Sequence, residues 1–258
     1  MELSSSYNLG LVALSFVIAS LAGFTALDLA AKMKTTEGSG RYVWLGVGAV
    51  AMGVGIWSMH FIGMLAFNLP IGVSYDPALT GLSMLAAIIA AGIAFFTISG
   101  ENLGVTRLLL AGLVMGSGVA AMHYGGMAAM RMAATTSYDP LLFGVSILIA
   151  VGASVAAMFI AYQLGSQWAL SKSGPFLFGM RFVAALIMGV AVCGMHYTGM
   201  AAARFAPTGQ TVTAGSMDTW LLGLGVAGTT FVVLFIALIS TAVSRTFFAQ
   251  TETFSAGD

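Results

Sequence analysis

Long apolar runs alternate with short polar stretches along most of the chain. Seven runs are each close to the roughly 20 residues that a helix needs to cross a bilayer. Their predicted limits are 8–31, 43–65, 79–99, 105–130, 141–165, 180–203 and 220–243. No polar stretch is long enough for a soluble domain, and residues 244–258 form a short polar tail. The pattern predicts an all-α fold: a single membrane-embedded domain over 1–258, built as a seven-transmembrane-helix bundle.

The composition supports a protein whose main partner is the lipid bilayer. Charged residues make up 7% of the chain and hydrophobic residues 59%, whereas a soluble domain carries about 25% charged residues. The formal net charge is zero and there is no basic run, so nothing indicates a nucleic-acid partner. The single cysteine, Cys193, excludes an internal disulfide. The oligomeric state stays open, with a homodimer among the possibilities.

Basic residues are divided unequally between the two ends of the predicted helices. Seven lie at one end: Lys32, Lys34, Arg41, Arg107, Lys172, Arg181 and Arg245. The other end holds Arg131 and Arg204. Because cytoplasmic loops carry the excess of Lys and Arg, we expect the N-terminus outside and the C-terminus in the cytoplasm. The even-numbered spans then run outward.

A Met-His-aromatic-x-Gly-Met phrase occurs three times, near the outer end of each even-numbered span. It contains all three histidines of the chain, His60, His123 and His196. Imidazole is a strong ligand for Cu, Zn or Fe, and a thioether selects Cu(I). Ionisable groups inside membrane spans are functional candidates by default. The three copies therefore predict one shared metal site near the outer face.

The similarity between the three copies extends beyond this phrase. Counted from each histidine, positions −8, −1 and +4 are always Met, and positions −7 and +3 are always Gly. The Met residues are Met52, Met115 and Met188 at −8, Met59, Met122 and Met195 at −1, and Met64, Met127 and Met200 at +4. Ser-Tyr-Asp-Pro then opens the third and fifth spans, and a looser version opens the seventh. The repeat unit is an outward helix, an outer loop and an inward helix. Three units and one leading helix make seven.

Helical geometry divides the methionines into two candidate ligand sets. At about 100° per residue, positions +4 and −7 lie about 40° and 20° from the histidine, and positions −1 and −8 lie 80–100° to the other side. The +4 methionines therefore share the histidine face and are the first choice as ligands, and the −1 methionines are the second. The glycines indicate close packing of the even helices around a common axis.

Other polar residues have simpler interpretations. Asp76, Asp139 and Asp218 are predicted N-caps of the inward helices. Asp28 lies four residues before Lys32, which predicts an ion pair. The hydroxyls of Tyr124 and Tyr197 are candidates for orienting the neighbouring imidazoles.

At these residues the chain resembles the MHYT family of bacterial seven-helix membrane sensor modules. The third copy, Met195-His196-Tyr197-Thr198, matches the family motif letter for letter. The second copy keeps Met-His-Tyr, and the first keeps only Met-His. The resemblance implies a bacterial inner-membrane protein with a copper site built from motif His and Met residues. It also implies sensing of O2, CO or NO, upstream of cyclic-di-GMP enzymes or kinases.

Family members commonly continue into a cytoplasmic signalling domain, which this sequence does not contain. We therefore expect either a stand-alone module that acts through a cytoplasmic partner or the sensor part of a longer protein. The function expected from the sequence is a copper-binding sensor of a diatomic gas, or of redox or copper state, rather than an enzyme. Three alternatives stay open: a membrane zinc hydrolase that uses the three histidines, a haem protein, and a Cu(I) transport or storage protein.

Overall fold

The structure, a computed structural model, describes residues 2–100, 103–208 and 216–232, together with positions 235 and 239. Its helices are α1 (Leu9–Thr35), α2 (Gly40–Ala66), α3 (Pro77–Ile98), α4 (Val105–Ala128), α5 (Pro140–Leu164), the short α6 (Gln167–Leu170) and α7 (Gly174–Ala202). Six of them are long and apolar enough to cross a membrane, as the sequence predicts. A further apolar helix, Thr219–Val232, begins where the seventh predicted span begins.

The predicted limits of the spans differ from the observed helices mainly at the basic end. There α1 continues to Thr35 and α7 already begins at Gly174, because a helix does not stop where the apolar core of the membrane stops. The seventh predicted span is described up to residue 232, and its remaining residues, except positions 235 and 239, lie outside the described residues. The predicted tail 244–258, with Arg245, also lies outside them.

The three histidine-bearing helices form the centre of the bundle, and three other helices lie between them on the outside. Around the bundle, α3 packs against α2 and α4, α5 packs against α4 and α7, and α1 packs against α7 and α2. In the first two repeats, α3 packs beside α2 and α5 packs beside α4. In the third repeat, α1 takes the equivalent place beside α7. The helix Thr219–Val232 instead brings Gly223 within 3.8 Å of Leu65 on α2, measured from a Cβ built on the glycine.

The −7 glycines set the close contacts between inner and outer helices. A methyl group at Gly53 would lie 2.6 Å from the backbone of Ile88 on α3, and one at Gly116 would lie 2.5 Å from the backbone of Val151 on α5. A methyl at Gly189 would overlap Ser20 on α1. The expected packing of these glycines around the common axis is therefore wrong. They face the outer helices, because the bundle axis lies on the other side of each histidine.

Short antiparallel ribbons cover the histidine end of the bundle, and the hydropathy pattern gave no indication of them. They are built from β1 (Ser6–Tyr7), β2 (Phe67–Asn68), β3 (Val73–Tyr75), β4 (Met130–Met132), β5 (Ala134–Tyr138) and β6 (Ala203–Pro207). The pairs are β1 with β2, β3 with β4, and β5 with β6. Tyr75 also pairs with Met217, just before the last helix. Each pair joins two outer segments that are separate along the chain, so the outer segments hold the repeats together.

The three predicted N-caps are confirmed. One carboxylate oxygen of each aspartate accepts hydrogen bonds from backbone N–H groups of its own helix: Asp76 from Leu79, Asp139 from Leu141 and Leu142, and Asp218 from Leu221.

Two of these caps also form ion pairs. The other carboxylate oxygen of Asp76 lies 2.9 Å from Arg131, and that of Asp139 lies 3.2 Å from Arg204. Each of these pairs links a cap to the outer loop of the next repeat.

The predicted ion pair between Asp28 and Lys32 is confirmed at 3.0 Å. Arg181 on α7 joins it, with 2.9 Å between its Nη1 and Oδ1 of Asp28. This contact between α1 and α7 was not predicted, because sequence spacing identifies partners on one helix but not on a neighbouring one. The three charges connect α1 to α7 at the basic end of the bundle.

We predict that Asp76→Asn lowers the melting temperature of the detergent-purified protein at neutral pH, because the amide keeps a cap but loses the charge opposite Arg131. In the folded protein the backbone N–H of Leu79, and then Arg131, hold the pKa of Asp76 below its ordinary value. This stabilisation is present above the unfolded pKa and is lost as the pH falls through the folded one. The melting temperatures of the two proteins should therefore converge in acid. A constant difference between pH 7 and pH 3 would contradict the role of the charge.

Candidate metal centre

Three imidazoles meet at the centre of the bundle near the ribbon-covered end. His60 on α2, His123 on α4 and His196 on α7 have 0%, 1% and 1% of their surface exposed. The distances between their Nδ1 atoms are 3.0 Å for His60 and His196, 3.1 Å for His60 and His123, and 3.3 Å for His123 and His196. The structure therefore brings together all three histidines that the sequence singled out.

The three Nδ1 atoms form a nearly equilateral triangle. A point equidistant from them lies about 1.8 Å from each, slightly less than the roughly 2.0–2.1 Å of an imidazole–metal bond. Such a triangle is what a trigonal nitrogen site requires. A small outward movement of the rings would give ordinary bond lengths.

Hydrogen bonding alone cannot satisfy this triangle. A neutral imidazole offers at each nitrogen either an N–H or a lone pair. Whichever tautomers are chosen, at least two of the three Nδ1 atoms carry the same kind of group, either two N–H groups or two lone pairs. Those two atoms cannot form a hydrogen bond with each other. Three lone pairs directed at one point are, in contrast, a suitable donor set for a cation.

The other edge of each ring rests on the +3 glycine of the next inner helix. A methyl group at Gly126 would overlap Nε2 of His60, one at Gly199 would overlap Nε2 of His123, and one at Gly63 would overlap Nε2 of His196. The contacts run in one direction, from α2 to α4 to α7 and back to α2. None of the Nε2 atoms has a hydrogen-bond partner among the described residues. The recurring glycine therefore holds the imidazoles by leaving room for them.

An aromatic ring after each histidine packs against it. The ring centroids of Phe61, Tyr124 and Tyr197 lie 4.7–4.8 Å from those of the neighbouring imidazoles, close to perpendicular. The expectation that the tyrosine hydroxyls orient the imidazoles is wrong. The Tyr124 hydroxyl bonds to Ser146 on α5, and the Tyr197 hydroxyl lies 2.9 Å from the Ser15 hydroxyl on α1. The threefold role belongs to the ring, which Phe61 supplies as well as tyrosine does.

The candidate methionine ligands are all enclosed. Met59, Met122 and Met195 are each 1% exposed, and Met64, Met127 and Met200 are 1–2% exposed. Met59 packs with Ala19 and Cys193. Burial brings both sets into the same interior as the histidines.

Among the residues that the structure describes, no acidic side chain joins the three histidines. In the part of the chain that the structure describes, His60, His123 and His196 are the one group of His, Cys, Asp or Glu side chains close enough to share a metal ion. The carboxylates of Asp76, Asp139 and Asp218 are engaged at their own helix starts. A metal held here would have neutral protein ligands.

Comparison with known proteins supports the repeats independently. The family model MHYT, described as a bacterial signalling protein N-terminal repeat, matches residues 53–111, 116–172 and 189–252. Each match contains one histidine motif, so the three repeat units predicted from the sequence are confirmed. The chain belongs to the MHYT family. It is therefore a multi-pass membrane module of a family of bacterial signalling proteins.

Several curated MHYT relatives are much longer than this chain. It is 47% identical over 254 residues to "Bifunctional diguanylate cyclase/cyclic di-GMP phosphodiesterase MucR" of Pseudomonas aeruginosa, covering 97% of this chain and 36% of that protein. It is 42% identical over 197 residues to "Cyclic di-GMP phosphodiesterase NbdA" of the same organism, covering 76% and 24%. With "Signaling protein YkoW" of Bacillus subtilis the identity is 34% over 256 residues, covering 98% and 31%. This chain thus spans about a third or less of each relative. No solved structure matches it.

We predict that Gly199→Ala destabilises the protein by about 1–3 kcal/mol, the usual cost of overpacking a core, because the new methyl group meets His123. Gly194→Ala, on the same helix, is the matched control, since a Cβ there has no atom within 4 Å. The control should melt at or slightly above the wild-type temperature, because Ala favours helix over Gly. Thermal melts in detergent compare the two variants. Equal melting temperatures would show that the glycine does not seat the imidazole.

Proposed function

We propose that this protein is a copper-binding membrane sensor that signals to a cytoplasmic output domain or partner. The observation that supports it is the triangle of three buried Nδ1 atoms, whose lone pairs no set of hydrogen bonds satisfies. Membership in a family of bacterial signalling proteins supports the signalling role.

The residues fit copper better than the other common metals. His60, His123 and His196 would hold it through Nδ1, and the surrounding methionines supply soft thioether sulfur. Neutral nitrogen and thioether donors in an apolar site favour Cu(I) over divalent ions that prefer carboxylates. Copper held there would provide an open coordination position for a diatomic gas such as O2, CO or NO, or a redox change.

The protein itself orients the donors and excludes water. The +3 glycines fix one edge of each ring, and Phe61, Tyr124 and Tyr197 pack beside the rings. The ribbons cover the outer end of the bundle. The imidazoles therefore lie in the dry surroundings that strengthen their interaction with a cation.

A route to the opposite face runs along continuous helices. The same helix, α7, carries His196 and, fifteen residues earlier, Arg181, which pairs with Asp28 on α1. A shift of His196 would thus move a charged contact at the basic end. Under this proposal, the bundle is a two-state element that both the site and the output partner bias.

The names of the relatives suggest the kind of output. MucR and NbdA are named as enzymes that make or degrade cyclic di-GMP. We infer that this module controls cyclic di-GMP turnover, in a fused domain or a partner protein. We place the module in the bacterial cytoplasmic membrane with the histidine end outward, as the distribution of Lys and Arg indicates.

Two of the alternatives from the sequence, zinc hydrolysis and haem binding, are less well supported. Zinc hydrolysis needs a general base beside the metal, whereas Asp76, Asp139 and Asp218 cap helices and Asp28 pairs with Lys32 and Arg181. Haem with two axial ligands needs them on opposite faces of a porphyrin, whereas these imidazoles lie in mutual contact.

We predict that the protein purified from copper-supplemented cells contains close to one copper per chain. In the His60→Ala/His123→Ala/His196→Ala variant, X-ray absorption should show no nitrogen-bound copper, because the variant loses every nitrogen donor, and any copper that it keeps should have only sulfur neighbours. Tyr124→Phe with Tyr197→Phe is the control, and it should keep the copper, since Phe61 already occupies the equivalent position. Metal content is measured by mass spectrometry on detergent-purified protein. Zinc in place of copper would favour the hydrolase, and no metal after anaerobic Cu(I) loading would refute the sensor mechanism.

The two methionine sets are expected to differ in their contribution to copper affinity. The +3 glycines face the imidazoles of the neighbouring inner helices, and position +3 lies about 60° from the histidine, on the side of position −1. We therefore infer that the −1 set lies nearer the nitrogen triangle than the +4 set, which reverses the order expected from the histidine face alone. Met59→Leu/Met122→Leu/Met195→Leu should weaken Cu(I) binding about tenfold or more in a competition titration. Met64→Leu/Met127→Leu/Met200→Leu should change it little, and the opposite order would assign the +4 set as ligands.

A further inference from the structure

A small cavity lies on the inner side of the three histidines, between α2, α4, α5 and α7. Its volume is about 20 Å³, enough for one water-sized occupant. Five methionines line it: Met52, Met115, Met158, Met188 and Met195. We name it the methionine chamber.

Three of the lining methionines repeat the threefold register of the histidines, and α5 lines one side of the chamber through Ala150, Ala153, Ser154, Ala157 and Met158. Met52, Met115 and Met188 occupy position −8 on α2, α4 and α7, about 12 Å along each helix from its histidine. Ile56, Val119 and Val192 occupy position −4 and also line the chamber. The −8 register is thus a second set of three equivalent donors around the same axis.

Packing alone does not account for the chamber. Met is flexible and normally fills irregular gaps in a core, yet five methionines surround a space that none of them fills. The five methionines are 1–6% exposed, so their side chains are buried within the bundle.

We propose that the methionine chamber is a second metal site, which binds one soft monovalent cation, Cu(I) or Ag(I), through thioether sulfur alone. Thioethers select Cu(I) among biological metals. A divalent ion is excluded because no carboxylate or other anionic group lines the chamber, and an uncompensated double charge in an apolar interior is too costly. The site does not depend on the histidines, so it goes beyond the function proposed above.

The packing below the chamber favours retention of the ion over passage. The −7 glycines bring α2 and α4 into backbone contact with α3 and α5 at this level. One turn deeper, the −11 residues Ala49, Gly112 and Ala185 are small and buried. No threefold set of methionines continues the series at positions −11 or −12, so the next turn offers no equivalent thioether site.

Occupation of the two sites is coupled by charge. Two monovalent cations about 6–12 Å apart along the axis repel each other in a medium of low dielectric constant. The second ion therefore binds more weakly than the first and fills its site only at higher metal concentration. Removal of the histidine site should strengthen binding in the chamber.

The test uses Ag(I), which needs no reductant, in a Cys193→Ser background that removes the one thiol. Equilibrium dialysis at saturating Ag(I) should give two equivalents per chain. Met52→Leu/Met115→Leu/Met188→Leu should give one, since Leu keeps the volume and removes the sulfur. The matched control, Met33→Leu/Met84→Leu/Met180→Leu, changes three methionines that do not line the chamber and should keep two.

The histidine triple variant separates this proposal from the copper sensor. It should retain one Ag(I), and X-ray absorption should show sulfur as its sole neighbour. Loss of bound metal from the histidine variant, or undiminished binding in the −8 variant, would overturn the chamber site and leave the histidine site unaffected. A histidine variant that binds as much as wild type would instead refute the histidine site. If the −8 variant does not fold, the absorption spectrum still decides, because nitrogen or oxygen neighbours would contradict a thioether site.

Discussion

The contact on which the rest of the bundle depends is the seating of each imidazole edge on a glycine of the next helix. His60 rests on Gly126, His123 on Gly199 and His196 on Gly63, so each inner helix supplies one ring and receives another. Any side chain at the +3 position would push a ring out of the centre. This mutual contact fixes the distances between α2, α4 and α7 at the histidine level. The −7 glycines then set how closely the outer helices approach them.

The same arrangement creates an energetic cost that packing does not repay. Each Nε2 is buried without a hydrogen-bond partner among the described residues, and such a group costs about 1–3 kcal/mol. At the other edge the Nδ1 atoms cannot all be satisfied by one another. Apolar side chains of similar size would avoid both costs, so stability does not explain three histidines here. A shared cation would give all three Nδ1 lone pairs a favourable partner, and this supports the proposed metal site over a purely structural role.

Much of the site could be predicted from the sequence because each repeat contains the same His, Met and Gly positions, so the pattern can be compared in three copies. The registers of His, Met and Gly around each motif identified the inner helices and the convergence of the histidines. What failed depended on contacts between different helices. The angular positions of the residues around each helix, measured from the histidine, predicted that the −7 glycines face the common axis. In the structure these glycines face Ile88, Val151 and Ser20 on the outer helices. The partners of Tyr124 and Asp28 on other helices, and the outer ribbons, were likewise beyond a pattern read along one segment.

The repeats also explain why a leading helix is present. Polar contacts tie α2 to α3 through Trp57 and Thr80, α4 to α5 through Tyr124 and Ser146, and α7 to α1 through Tyr197 and Ser15. The third pair uses α1 in place of the inward helix of its own repeat, so the ring closes before the chain reaches Thr219. The last helix lies beside α2 at Leu65, five residues beyond His60, and Met217, just before this helix, pairs with Tyr75. Under the proposed function, this helix is not needed to close the ring and lies against the first histidine helix. Besides the route along α7, a change at His60 would therefore reach this helix through Leu65.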